Sequence, residues 1–114
     1  MNEPRVTLAV AQLLREFMLD PLRPRHGYDL MKSTGFPSGK LYPILIKFKA
    51  AGLMTDELEQ GDPSVEGRPL RKLYRLSPGG VAFAQRALEE VAATTSLPRT
   101  APRPQTETSS GGMA

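Results

Sequence analysis

The chain has 114 residues, with 15 lysines and arginines against 12 aspartates and glutamates, a formal net charge of +3, and neither cysteine nor tryptophan. That length fits one small domain, which buries only about 60–65 % of its unfolded surface and so gains from oligomerisation; the lack of cysteine excludes disulfides and thiolate metal sites. No apolar run approaches the roughly 20 residues of a membrane span and the opening MNEPRVTLAV is no export signal, so a soluble cytoplasmic protein is expected, and the distribution of charge must decide whether nucleic acid is a partner.

Taken in chain order, Val6, Val10, Leu13, Leu14, Phe17 and Met18 recur at helical spacing, Thr7 is placed to cap them and Pro21 stops the run. This predicts a core-facing amphipathic helix over residues 7–19. Tyr28, Leu30 and Met31 predict a shorter second helix between Arg25 and Thr34, ended by Gly35, where a left-handed residue costs least. A third helix is expected after Phe36 and Pro37, with Ser38 as its cap, Leu41, Leu45 and Phe48 as its buried stripe, and Gly52 at its close. Pro43 lies inside it. The residue four back is Gly39, which softens the clash with the proline ring and lets the helix survive with a bent first turn.

Residues 53–59 and 69–76 then read as two strands around the turn-rich QGDPSVEGR, a β-hairpin in which Glu57 and Glu59 are placed to pair with Arg71 or Arg75. Simple alternation puts Lys72 on the same face as Tyr74 and Leu76, a position with no obvious use for a charge. Ser77 and Pro78 open a last helix, the serine as cap and the proline in its first turn. Its Val81, Ala84, Leu88 and Val91 form a seam narrow enough to suit a partner helix. From Thr94 onward large apolar residues are nearly absent and Pro, Thr, Ser and Gly dominate, which predicts a disordered tail. Its Arg99 and Arg103 are either simply solvated or touch nucleic acid without specificity.

The order helix, helix, helix, hairpin, helix is mainly α with a small β-hairpin. The second and third helices, joined by the tight GFPS turn, make a helix-turn-helix able to set its last helix in a major groove. Opposite the buried stripe that helix carries Ser38, Gly39, Lys40, Pro43 and Lys47, suited to phosphates by two lysines and a helix N-terminus. No Arg, Asn or Gln lies between Ser38 and Gly52 to read base edges. Plain solubilisation by Lys40, Lys47 and Lys49 is the competing reading from charge pattern alone. A basic hairpin directly after a helix-turn-helix favours DNA, with Arg68 at its tip and Arg71 beside it. His26, the sole histidine, has Asp29 and Ser33 nearby, but all three share one short helix with no second element to hold a substrate. A positional or phosphate-contacting role is therefore expected, with no catalytic residue, metal or cofactor. Tyr42 is assigned to DNA and Tyr74 to the core.

These residues resemble the PadR family of bacterial winged-helix transcriptional regulators over roughly residues 7–93. The resemblance is carried by His26-Gly27-Tyr28, by Ser38-Gly39-Lys40-Leu41-Tyr42-Pro43-Ile44-Leu45, by Gly52-Leu53, and by Gly67-Arg68-Pro69 with Arg71, Lys72, Tyr74, Arg75 and Leu76. It implies a homodimeric, mostly repressing DNA-binding protein whose C-terminal helix supplies much of the dimer contact. It also allows a small-molecule effector near that interface, for which this sequence offers no support: the flat-drug sandwich of some members needs tryptophans that are absent here.

The expected organisation is thus a winged helix-turn-helix over 1–76, a dimerisation helix over 77–93 and a tail over 94–114. DNA contacts are expected from Ser38, Gly39, Lys40, Tyr42, Pro43, Lys47, Arg68 and Arg71, and dimer contacts from Val10, Leu14, Val81, Ala84, Leu88 and Val91. The expected function is a sequence-specific regulator, a repressor on a pseudo-palindromic duplex operator. The alternative is a winged helix that binds protein instead of DNA.

Overall fold

The structure is a computed structural model and describes residues 3–95, so most of the expected tail lies outside the described residues. Five helices and three short strands follow one another as α1 (Leu8–Met18), β1 (Arg25–His26), α2 (Gly27–Thr34), α3 (Ser38–Ala50), β2 (Met54–Leu58), α4 (Pro63–Glu66), β3 (Lys72–Leu76) and α5 (Pro78–Thr95). The fold is a winged helix: mainly helical, with one antiparallel sheet in the order β1-β3-β2.

The helix boundaries follow local chemistry. Thr7 Oγ1 accepts from the Val10 N–H at 3.2 Å and starts α1. Gly35 ends α2 at φ 77°, its N–H bonded to Met31 O at 2.8 Å, a conformation that glycine adopts without the cost a β-carbon brings. Ser77 Oγ accepts from the Gly80 N–H at 3.0 Å and starts α5. One cap differs from expectation. Pro37, not Ser38, occupies the position before α3, and no side chain caps that helix. Ser38 is already helical, so its hydroxyl no longer reaches back over the first turn. α3 continues through Pro43 as one helix.

Leu13, Leu14 and Phe17 of α1, Leu30 of α2, Leu41, Leu45 and Phe48 of α3, Tyr74 and Leu76 of β3, and Phe83, Ala84 and Ala87 of α5 form one core. Phe48 and Phe83 meet edge to face, ring centroids 5.7 Å apart. The last helix is therefore built into the body of the domain, and it runs on through Thr95.

The hairpin gains a third strand. Arg25 and His26 pair with Tyr74 and Leu73, so the residues expected to begin the second helix are instead an edge of the sheet. The hairpin loop is not open: Asp62 caps a single helical turn, α4, which Gly67 closes at φ 74°. Lys72 sits on the face that alternation assigns it, but the core ends at Tyr74. Its ammonium lies 3.7 Å from Asp56, which also takes Lys49 at 2.8 Å.

Candidate nucleic-acid interface

α3 presents two different sides because its buried residues recur every three or four positions. Leu41, Leu45 and Phe48 point into the core, and Ser38, Gly39, Lys40, Pro43, Ile46 and Lys47 are exposed on the other side. The structure thus brings five of the expected contact residues onto one face. Lys40 Nζ stands 4.3 Å above the ring of Phe36 in the preceding turn, which holds it beside the helix start. Lys49, in contrast, is turned to the sheet by Asp56. Among the described residues Lys47 forms no ion pair. The uncapped start of α3 leaves first-turn N–H groups turned to solvent, where the helix dipole favours an anion.

Tyr42 leaves that face and crosses to α2. A β-carbon at Gly27 would fall 2.0 Å from the Tyr42 hydroxyl, so glycine is what lets the ring lie against the first turn of α2. His26, half-buried, caps that turn: its Nδ1 accepts from the Asp29 N–H at 3.2 Å, while Nε2 lies 3.2 Å from Arg71 Nη1. Burial first, then the adjacent Arg71 guanidinium, hold the imidazole pKa below its usual value, so the ring is neutral near pH 7. His26 and Arg71 line a surface cleft of about 220 Å³ together with Gly27, Tyr28, Tyr42, Lys72 and Tyr74. Tyr74 is buried, and burial raises its phenol pKa.

The wing arginines differ in their freedom. Arg68 Nη1 donates to Glu59 Oε1 and its Nη2 lies 3.9 Å from Glu66, so the guanidinium expected at the tip is tied to two carboxylates. The Arg68 hydrogen bond, and after it the Arg71 N–H bonded at 3.0 Å, pull the Glu59 carboxyl below the usual range. Glu59 thus takes the Arg68 side chain but only the backbone of Arg71, whose own side chain is exposed. Arg75 lies 3.9 Å from Glu57, one of the pairings expected across the hairpin.

Between α1 and α2 is a group that sequence reasoning missed. Arg25 is the one buried charged residue among those described, 7 % exposed. It donates to Asp29, to Glu16 O at 3.2 Å and to Ser33 Oγ at 3.3 Å, and lies 3.5 Å from the Glu16 carboxylate. It ties α1, β1 and α2 together, and only the i, i+4 spacing to Asp29 hinted at it.

Of the six expected dimer residues, Val10, Leu14 and Ala84 are buried inside the protomer. The narrow seam of α5 finds its partner helix within the chain, because α1 lies against α5. Val81, Leu88 and Val91 remain half-buried.

No helix among the described residues is long and apolar enough to cross a membrane, and none of their His, Cys, Asp and Glu side chains form a cluster of three or more able to hold a metal ion. Residues 17–86 match the family described as "Transcriptional regulator PadR-like family". No curated protein matches the chain at a significant level. Among solved structures, a protein from Streptococcus mutans is similar at 23 % identity and a TM-score of 0.62, over 83 % of this chain and 87 % of its own. A PadR-like transcriptional regulator from Bacillus cereus is similar at 18 % identity and a TM-score of 0.60, over 78 % of this chain and 84 % of its own. A PadR-like transcription factor from Bacteroides fragilis is similar at 21 % identity and a TM-score of 0.58, over 78 % of this chain and 90 % of its own.

Proposed function

The chain belongs to the PadR-like family of transcriptional regulators, DNA-binding proteins and not enzymes, and on that premise we propose that it is a cytoplasmic repressor that binds a pseudo-palindromic operator as a homodimer. The observation that carries the reading is the exposed face of α3. It combines an uncapped helix N-terminus with Lys40 and Lys47, and is flanked by a cleft that Arg71 enters. Phosphates are its natural complement, since both the lysines and the free N–H groups attract anions.

In this reading Ser38, Gly39, Lys40, Pro43 and Lys47 enter a major groove, Tyr42 and Arg71 hold backbone, and Arg68 reaches the flanking strand after leaving Glu59. Two copies set their α3 helices in successive grooves about 34 Å apart. The dimer contact falls to the outer edge of α5 at Val81, Leu88 and Val91, half-buried in the protomer and so retaining area for a second copy. With few groups to read base edges, selectivity rests on a small number of contacts and on DNA shape. The test is the salt dependence of binding to a duplex from the protein's own promoter region, by fluorescence anisotropy. Each phosphate neutralised adds about 0.9 to the slope of log K against log salt. A steep fall from low to physiological salt is expected; flat or absent binding would leave the protein-binding winged helix as the better reading.

A further inference from the structure

Two hydrogen-bond demands meet on the single imidazole of His26. Nδ1 faces the Asp29 N–H at 3.2 Å, and Nε2 faces Arg71 Nη1 at 3.2 Å. Both neighbours are donors. A neutral imidazole has one acceptor nitrogen and one N–H, and an imidazolium has two N–H groups, so His26 satisfies at most one of the two. The Asp29 N–H is fixed in the first turn of α2, whereas Arg71 is an exposed side chain with freedom to turn. The backbone contact therefore sets the tautomer: Nδ1 accepts and the ring proton is on Nε2. Nε2–H and Nη1–H then face each other with no acceptor between them.

Among the described residues no carboxylate hydrogen-bonds His26 Nε2 or Arg71 Nη1. Glu59 is engaged by Arg68 and by the Arg71 N–H, Asp29 is engaged by Arg25, and Arg68 adds only more positive charge. The cleft in front of the two donors, about 220 Å³, has room for a tetrahedral oxyanion, and Tyr42 and Lys72 line it.

We propose that this cleft seats one phosphate of the DNA backbone, with a single non-bridging oxygen accepting from His26 Nε2–H and Arg71 Nη1–H together. The proposal rests on the DNA-binding reading above and adds His26 to the residues that touch the duplex. A backbone phosphate suits the seat better than a free anion, because the cleft is open and lies between Tyr42 of α3 and Arg71 at the wing, the two elements that would flank the duplex.

The test separates the two jobs of His26. Asparagine is among the best helix caps, so His26→Asn keeps α2 capped while removing the outward N–H. His26→Asn is expected to melt with the wild type but to bind the promoter duplex about fivefold more weakly, the loss of one charge-assisted hydrogen bond. Arg71→Gln is expected to weaken binding as well, and the double variant to lose less than the product of the two, because both groups hold one oxygen. Duplex binding by His26→Asn at wild-type strength overturns the proposal, and so do long-range proton–nitrogen spectra showing the proton on Nδ1. If inorganic phosphate alone saturates the His26 ring resonances at micromolar concentration, the seat belongs to a free anion and the assignment to DNA is overturned. Failure of the DNA reading itself looks different, since the wild type would then show no salt-dependent duplex binding.

Discussion

Gly80 sits where α5 starts over the beginning of β2, and Gly80→Ala tests whether that junction holds the last helix to the domain. A β-carbon there would lie 1.8 Å from the Leu53 carbonyl oxygen and 2.8 Å from its carbon. An ordinary carbon–oxygen contact needs about 3.3 Å, so the two backbones must separate by more than about 1 Å. The obstacle is main chain, which cannot rotate aside. The same Leu53 O accepts from the Ser77 N–H at 3.0 Å, while Ser77 Oγ donates to Gly52 O at 2.8 Å and accepts from the Gly80 N–H at 3.0 Å. Separation strains the Ser77 N–H bond, at about 1 kcal/mol, and the cap, at about 1 kcal/mol. Overpacking adds about 1–3 kcal/mol, and alanine returns at most about 1 kcal/mol of helix propensity. The net is a destabilisation of about 2–4 kcal/mol, or a Tm lower by roughly 10–20 °C for a domain of this size. Thermal unfolding followed by circular dichroism measures it, at one protein concentration because any self-association makes Tm depend on concentration. Gly79→Ala is the control: its β-carbon meets nothing nearer than Ser77 Oγ at 3.8 Å, and its Tm should equal or slightly exceed that of the wild type. If Gly80→Ala melts within a few degrees of Gly79→Ala, α5 is not seated on Leu53 and the junction described above is wrong.

Arg25→Met should cost about 2 kcal/mol, below the roughly 3–5 kcal/mol for breaking a fully buried pair, because Asp29 and Glu16 can rehydrate. The Arg25 hydrogen bond holds the Asp29 carboxyl below its ordinary 3.8. A depressed folded-state value stabilises fully above the unfolded value and fades as pH falls through the folded one, so urea unfolding should show an acid limb that Arg25→Met flattens. Glu59→Gln should free Arg68 and tighten duplex binding about two- to fivefold, with a salt slope steeper by up to about 1; unchanged anisotropy titrations would mean Arg68 never reaches DNA. If the proposed homodimer forms through α5, Leu88→Asp should leave a monomer in analytical ultracentrifugation with the helical content near wild type, and a variant that is still dimeric would refute the α5 interface.

What could be read in advance was what is local or periodic. α1, α3 and α5 show apolar residues at helical spacing, and Thr7, Gly35 and Ser77 mark ends through chemistry that acts within four residues. β1 could not be found this way: two residues have no period, and Arg25 and His26 are extended because Tyr74 and Leu73, far along the chain, pair with them. The burial of Arg25 depends on Glu16, Asp29 and Ser33 converging from two helices, which no spacing rule expresses. α4 had its signals in plain view, Asp62 before Pro63 and then Gly67, yet one turn between two strands reads as a loop. For Lys72 alternation identified the face but not the depth, because the period of a strand says nothing about where the core beneath it ends.

The distribution of charge changes most between chain and fold. As a string, the wing is the most basic stretch and α3 the less promising one. Folded, the wing's cations are largely answered by its own acids: Arg68 by Glu59 and Glu66, Lys72 by Asp56, Arg75 by Glu57. Lys49 is removed from α3 in the same way, by Asp56. What stays available is Lys40 beside an uncapped helix start, Lys47 on the same face, and Arg71, whose Nη1 lies 3.2 Å from His26 Nε2 and forms no ion pair among the described residues. Exposed pairs such as those of the wing are screened by solvent and add little to stability, so a phosphate can displace their carboxylates at small cost. The wing's acids therefore act less as a lock than as a threshold. They lower attraction for any passing polyanion, and in the proposed complex each arginine would be recovered once α3 and the His26 cleft had set the register of the duplex.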